Sequence, residues 1–179
     1  VNDGRVKFLP EHEEKIFRHW MENVMDWNIS RQIIWGIPIP AKVCTTCHHG
    51  MVDLDNTITS CTECGGVVEQ EQDTFDTWFS SGQWAFSTFG WPEKTADLAK
   101  FYPTSVLVTG YDILFFWVVR MMMMSTFAMD GVAPFKTIML HGLVRDQFGK
   151  KMSKSRGNVV DPIEFMDKYG ADALRFTLA

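Results

Sequence analysis

No basic stretch leads into an apolar one at the start of this sequence; Val1-Asn2-Asp3-Gly4 carries neither, so nothing there reads as an export signal. An initiating Met is missing too, and Ala179 falls inside an apolar-periodic pattern, so the sequence reads as the interior of a longer protein. Positive charge is not in excess: 17 Lys and Arg stand against 22 Asp and Glu, a net charge of −5. That excludes a chain that grips nucleic acid over its whole surface and confines any such contact to a patch. No apolar run reads as a membrane span. The nearest imitation, Ile113 to Met129, has Arg120 near its centre and falls short of the ~20 residues a span needs. It reads as a buried helix whose Met121 to Met124 run is adaptable core packing rather than a cofactor box. No membrane partner is expected.

Cysteine is scarce, and its placement is informative. All four fall in Cys44-x2-Cys47 and Cys61-x2-Cys64, with thirteen residues between the pairs. Each pair sits at a turn able to aim two thiolates at one point, and Gly65-Gly66 permits a tight knuckle. Four sulfurs suit tetrahedral zinc, and without an export signal disulfides are disfavoured. Four unmetallated thiols or a redox pair are the alternatives. His48 and His49 read as loop residues, because four cysteines already close the shell. No titratable neighbour suggests chemistry, so residues 42–72 read as a ribbon around a structural Zn2+.

What remains is ordinary in bulk: 179 residues, 46% hydrophobic and 22% charged, fit one domain or one domain plus a small insert. Pro10 at a first helical position, with Glu11, Glu13 and Glu14 behind it, predicts a helix start. Ile16, Trp20 and Val24 then recur every four residues, with Phe17 and Met21 alongside, as one apolar face. Pro38 and Pro40 end regular structure. The aromatic-rich stretch from Phe75 to Trp91 suits either a core or a pocket lining. Ser105 to Gly110 and Phe135 to Gly142 read as short apolar strands buried on both faces, separated by the helix from Ile113, which Asp112 can cap. Strand, helix, strand in under forty residues is a βαβ unit. Ligands of such sheets bind beyond the strands' C-terminal ends, here Thr109-Gly110-Tyr111-Asp112 and His141-Gly142. Asp161-Pro162 predicts a last complete helix, stopping at Gly170.

The segment following His141-Gly142 runs against the acidic balance. Between Arg145 and Asn158, Arg145, Lys150, Lys151, Lys154 and Arg156 face one acid, Asp146. Gly149 and Gly157 bracket the cations and let the loop change shape. Ammonium groups interspersed with hydroxyls suit an anion that gains charge during a reaction, such as a departing pyrophosphate; the plainer reading is a solvated basic loop.

The literal string Lys151-Met152-Ser153-Lys154-Ser155 resembles the second signature of class I aminoacyl-tRNA synthetases. The Trp27–Gly36 block, the ribbon, Asp76-Thr77-Trp78-Phe79-Ser80-Ser81 and Ile113-Leu114-Phe115-Phe116-Trp117 extend the resemblance over nearly the whole chain. They look valyl-type rather than isoleucyl- or leucyl-type. The resemblance implies an α/β fold: half of a Rossmann-like nucleotide-binding fold, parallel strands with a crossover helix, carrying the inserted zinc ribbon. It divides the chain into a return segment (1–41), the ribbon (42–72), the C-terminal half of the catalytic fold (73–143), and the signature loop with the start of a helical stem-contact region (144–179). It implies a cytoplasmic ligase using ATP with Mg2+, valine and tRNA(Val). Lys151 and Lys154 would face the phosphates in the transition state, with Met152 near the adenine and Ser153 in the same nucleotide-binding loop. Gly110, His141 and Gly142 would approach the adenosine. Asp112 would hold the substrate ammonium, and Trp78, Ile113 and Trp117 would wall the side-chain pocket. A helix cap remains the other reading of Asp112, and core packing that of Trp117. A pocket with large apolar walls excludes isoleucine by size but rejects threonine poorly, a limit for which valyl-type enzymes are the standing example.

The departures are as definite. The family's first signature, His-x-Gly-His, is absent, and so are editing and anticodon-binding regions. Asn28 stands where valyl-type enzymes often have cysteine, and Ile37 where histidine is common. The segment alone is therefore expected to be inactive or very feeble. The competing readings are a fragment of an isoleucyl- or leucyl-type enzyme, and a non-enzymatic zinc-ribbon module that binds RNA through its basic loop.

Overall fold

A computed structural model describes residues 3–179. Strand β1 (Lys7–Leu9) turns at Pro10 into helix α1 (Glu13–Glu22). After β2 (Ser30–Arg31), a small antiparallel ribbon is built from β3 (Ala41–Cys44), β4 (Gly50–Val52) and β5 (Val68–Gln70), in the order β4-β3-β5. Strand β6 (Thr74–Phe75) returns to pair antiparallel with β2. Three short helices, α2 (Thr77–Ser81), α3 (Trp84–Ser87) and α4 (Ala96–Phe101), lead into β7 (Thr104–Gly110). The crossover that follows has three parts: a 3-10 turn at Tyr111–Ile113, a π-helical stretch at Leu114–Val119, and α5 (Arg120–Ala128). It returns the chain to β8 (Phe135–His141), and a long loop then reaches α6 (Pro162–Tyr169) and α7 (Ala171–Leu178).

The main sheet is parallel throughout, in the order β1-β8-β7. Its register sets Phe8, Ile138 and Leu107 side by side, and all three are buried on the face covered by α1, the π-helical stretch and α5. The neighbouring row, Leu9, Met139 and Val108, lies on the opposite face and is about half exposed (50%, 46% and 55%). The two predicted strands are therefore covered on one side, not both: the continuous apolar run alternates, as the period of two in a strand requires. A third strand, β1, has only three residues, too short a run to have signalled itself.

Helix α1 also departs from expectation. Pro10 belongs to the turn before it, its carbonyl accepting from the Glu13 N–H at 3.2 Å, and the helix stops at Glu22, short of Val24. The inward stripe is Glu13, Phe17 and Met21, while Ile16 and Trp20 lie at its margin. Trp20 keeps a partner there, its ring 4.4 Å from that of Phe115. The predicted face thus holds at Phe17 and Met21, while its centre lies one residue, about 100°, from the line through Ile16 and Trp20.

Tyr111–Ala128 is long and apolar enough, by length and composition, to cross a membrane, with mean hydropathy 1.3. Leu114, Val118, Val119, Met121 and Met122 are nevertheless part of the core under the parallel sheet, which is the place expected for a buried helix. Asp161 caps α6 by accepting the Ile163 N–H at 2.9 Å, Pro162 opens the helix, and Gly170 ends it at φ 87°, as predicted.

Candidate active site

The parallel strands end together. Gly110 and His141 are register partners at the C-terminal ends of β7 and β8. A side chain at Gly110 would displace its neighbours: its Cβ would stand 2.7 Å from Asp112 Oδ1 and 3.2 Å from Leu143 Cδ2. Glycine there leaves room for the Asp112 carboxylate close to the strand end. Asp112 does not cap that crossover: the cap positions are Gly110 for the 3-10 turn and Ile113 for the π-helical stretch, and neither has a side-chain cap. The Asp112 carboxylate turns instead to the Lys151 ammonium, with which it pairs. With the two side chains 26% and 52% exposed, such a pair contributes at most about 1 kcal/mol, so the tie is light. His141 is exposed, its Nδ1 2.7 Å from the Gly142 carbonyl oxygen, and nothing packs where a Gly142 side chain would be.

Lys151 reaches this edge because the basic loop is folded over it. Residues 145–151 form a turn closed by the Arg145–Lys151 bridge. The Gly149 N–H donates to the Asp146 carbonyl at 2.9 Å, and Gly149 takes φ +74°. Asp146 Oδ1 accepts the Phe148 and Lys150 N–H groups, each at 2.9 Å. Asn158 ties the second half of the loop to the first: it donates to Asp146 Oδ2 at 2.8 Å and accepts the Ser153 N–H at 2.9 Å. The Asn158 amide, with the Lys150 N–H next, holds the Asp146 carboxyl below the usual carboxylate range, against a smaller opposing push from burial. Arg145 Nη2 donates to the Tyr111 hydroxyl at 3.1 Å, a second link between loop and crossover. Met152 and Ser153 are half-buried, while Lys154 is exposed on a 3-10 turn (Lys154–Arg156) that ends at Gly157, φ +66°. Lys154 has no ion pair among the described residues.

Asp146 and Asn158 were missed as organisers of this loop. Asp146-Gln147-Phe148-Gly149 has Asp at the first and Gly at the fourth position of a turn, a signal that was there to be read. Asn158 gave none, because its partners lie five to twelve residues back.

The aromatic residues gather where α2 meets the π-helical stretch. Trp78 stacks on Phe116 with ring centroids 5.6 Å apart, and Trp117 donates from Nε1 to the Ser81 carbonyl at 3.2 Å with Trp84 6.0 Å away. Ile113, half-buried, follows Asp112 directly. Trp78, Ile113 and Trp117 thus lie on three elements, α2, the 3-10 turn and the π-helical stretch, and the ring against Trp78 is Phe116.

The four cysteines converge: their sulfurs all lie within 4.8 Å of one another, with contacts of 3.4 to 3.6 Å. A tetrahedral zinc with ~2.3 Å bonds needs sulfurs about 3.8 Å apart, so the set could hold such an ion. Gly66 permits the convergence, since its Cβ would stand 3.2 Å from Cys64 Sγ and 3.3 Å from Cys44 Sγ. The Cys47 N–H, foremost, and that of Thr46 lower the Cys44 thiol to about 6 despite burial. The His49 N–H pulls Cys47 down, but hydrogen bonds with the Cys64 and Cys44 thiols, together with burial, push it up to about 12. Beneath them Asp53 accepts the Thr57 and Ile58 N–H groups at 2.8 and 3.1 Å and pairs with Lys42 at 3.4 Å, fastening the ribbon's long loop.

The chain is 58% identical to the Valine--tRNA ligase of Streptomyces avermitilis and 56% identical to that of Symbiobacterium thermophilum. The matches cover 100% and 99% of this chain but only 20% and 19% of those proteins, so the chain spans about a fifth of their length. Among solved structures it resembles an Agrobacterium radiobacter LeuRS in ternary complex with tRNA and LeuAMS (TM-score 0.65, 25% identity, 90% of this chain and 26% of that one). It shares its fold with a Mycobacterium tuberculosis methionyl-tRNA synthetase in complex with methionyl-adenylate (TM-score 0.66, 22% identity, 96% of this chain and 28% of that one). The family model described as tRNA synthetases class I (I, L, M and V) matches residues 1–179. A parallel α/β sheet whose strand ends meet a folded-over basic loop, matched along its whole length by that model, makes this chain a member of the class I tRNA synthetase family.

Proposed function

We propose that the full-length protein carrying this segment is a cytoplasmic valine ligase, which activates valine with ATP and Mg2+ and passes the valyl group to tRNA(Val). In the first step a valine carboxylate oxygen bonds to the α-phosphorus. The bond from that phosphorus to the bridging oxygen breaks, and pyrophosphate departs with the negative charge. Asp112 holds the valine ammonium and Trp78, Ile113 and Trp117 enclose its side chain. Gly110, His141 and Gly142 leave room for the adenosine, Met152 lies near the adenine, and Ser153 belongs to the same nucleotide-binding loop. Lys151 and Lys154 stabilise the charge gathering on the departing phosphates. The four cysteines hold a structural zinc that shapes the ribbon. The chain divides at 1–41, 42–72, 73–143 and 144–179 into return segment, ribbon, catalytic half-fold and signature loop with the first stem-contact helices.

The single observation that best supports this reading is the Lys151–Asp112 pair, because it puts the basic loop over the edge where the parallel strands end. Its weakness also matters: the valine ammonium can replace the Lys151 ammonium on Asp112 and leave that lysine for the phosphates. The deciding experiment is pyrophosphate exchange on the full-length protein with valine, isoleucine and leucine. Exchange supported by valine at the lowest KM is expected; a lower KM for isoleucine or leucine would overturn the valyl reading. The 179-residue segment alone is expected to give no exchange near that of the full-length protein.

Asn158 gives a separate check on the loop. Asn158→Ala removes the bonds to Asp146, the Ser153 N–H and the Lys151 carbonyl (3.3 Å) together. The loop then samples more conformations, and the exchange kcat is expected to fall about tenfold, roughly the 1.4 kcal/mol of one or two net hydrogen bonds. The KM for valine is expected to hold within about twofold.

A further inference from the structure

Asp76 is buried, 5% exposed, and has no task in the chemistry above. It nevertheless collects more donors than a helix cap needs. Its Oδ1 accepts the Trp78 N–H at 3.1 Å, capping α2. Its Oδ2 accepts Trp27 Nε1 at 2.9 Å and pairs with the Arg31 guanidinium. The Asp76 N–H donates to the Ile29 carbonyl at 2.7 Å. Arg31 is itself fixed, donating to the carbonyls of Asn28 at 2.6 Å and Ser30 at 2.7 Å.

We propose that Asp76 is a positioning residue for amino-acid selection, setting where Trp78 and Trp117 stand relative to each other. The inference rests on the reading of those two tryptophans as pocket walls. Helix α2 has five residues and cannot hold its own direction; it is steered from its ends. At the far end Gly82 lies so close to α5 that a Cβ there would meet Met124 Sδ at 2.6 Å. The near end is steered by Asp76. On the other side of Trp27 the Arg120 guanidinium lies 3.7 Å from the ring, at the point where the π-helical stretch bearing Phe116 and Trp117 gives way to α5. One chain of contacts, Trp78 to Asp76 to Trp27 to Arg120, therefore references both walls to the same carboxylate. Because a single methylene in an apolar pocket is discriminated only about 10- to 200-fold, a slight tilt of one wall is enough to erode selection.

The test uses the full-length protein and pyrophosphate exchange with valine and isoleucine. Asp76→Asn keeps an oxygen for the Trp78 N–H but turns an amide N–H toward Trp27 and Arg31. The KM for valine is expected to rise about tenfold, and the valine-over-isoleucine ratio of kcat/KM to fall about tenfold, with the KM for ATP unchanged. Trp27→Phe keeps a ring under Arg120 and deletes only the indole donor; it should move the same two quantities in the same direction by less, and it decides the matter if Asp76→Asn does not fold. A residue that only supports the fold would lower kcat alike for both amino acids and leave KM and selectivity in place, and that result overturns the proposal. Failure of the unsubstituted protein to exchange with valine would instead sink the functional reading itself.

Discussion

Lys154→Ala in the full-length protein is expected to lower the rate of valyl-adenylate formation about 10²- to 10³-fold, the scale on which removal of one preorganised charge-stabilising donor acts. Valine binding should hardly change. Lys154 is exposed on a turn between positive-φ glycines at 149 and 157 and has no ion pair among the described residues, so nothing tethers its ammonium in the ground state. A group that binds only charge appearing in the transition state lowers kcat and kcat/KM together when removed. Lys151→Ala provides the contrast. On the proposed mechanism it also loses a phosphate-facing cation, but it leaves Asp112 without the loop's ammonium. Because that exposed pair is worth at most about 1 kcal/mol, the KM for valine should fall by no more than about fivefold while kcat falls steeply. Rapid-quench measurement of adenylate formation, with valine binding followed separately, distinguishes the two. Losses of equal size in valine affinity and in adenylate rate for Lys154→Ala would rule out the transition-state role.

The parts of this molecule legible in the sequence are those whose signal is local. Asp161-Pro162 and Gly170 marked the bounds of α6 because cap, proline and left-handed glycine act within one turn of the chain. The cysteine spacing pointed to a common centre because each pair sits at its own knuckle. What escaped reading was decided across distance. Strand β1 has three residues and exists because β8 offers it an edge. Val106 and Val108 looked buried on composition, yet only the layout of layers decides whether a face is covered. Asp112 had the chemistry of a cap but lies inside a 3-10 turn, and a lysine 39 residues later claims its carboxylate. Asp76 belonged to a quoted motif without any hint that its second oxygen reaches back 45 and 49 residues to Arg31 and Trp27. The centre of the α1 face was off for a related reason: apolar residues covered more than one face, and of those named the sheet it packs on selected Phe17 and Met21.

The other large effect concerns the ribbon. Of its three buried hydrophobic side chains, Cys44, Met51 and Cys61, two are the proposed metal ligands, with only Ile58 and Val68 packed alongside. Strands of three or four residues around so small a core do not hold together unaided. Structural zinc in small domains supplies about 10–16 kcal/mol of apparent binding energy that is also folding energy. Cys44 is the ligand whose loss should matter most: it is fully buried, lies at the end of the central strand β3, and its lowered thiol receives the Thr46 and Cys47 N–H groups at 3.4 and 3.5 Å. Serine in its place offers a harder, far less acidic donor. In the full-length protein, Cys44→Ser is expected to reduce zinc content from about one per chain to background. Amide hydrogen exchange across β3, β4 and β5 should rise at the same time to the rate of an open loop. The parallel sheet, whose core is separate from the ribbon's, should keep its protection. Stripping the metal from the unsubstituted protein with a chelator should reproduce the same exchange pattern. A metal-free Cys44→Ser protein whose ribbon amides stayed protected would mean that the Asp53 clamp on Lys42, Thr57 and Ile58 and the strand ladders suffice, and that the four thiols are not what holds the ribbon folded.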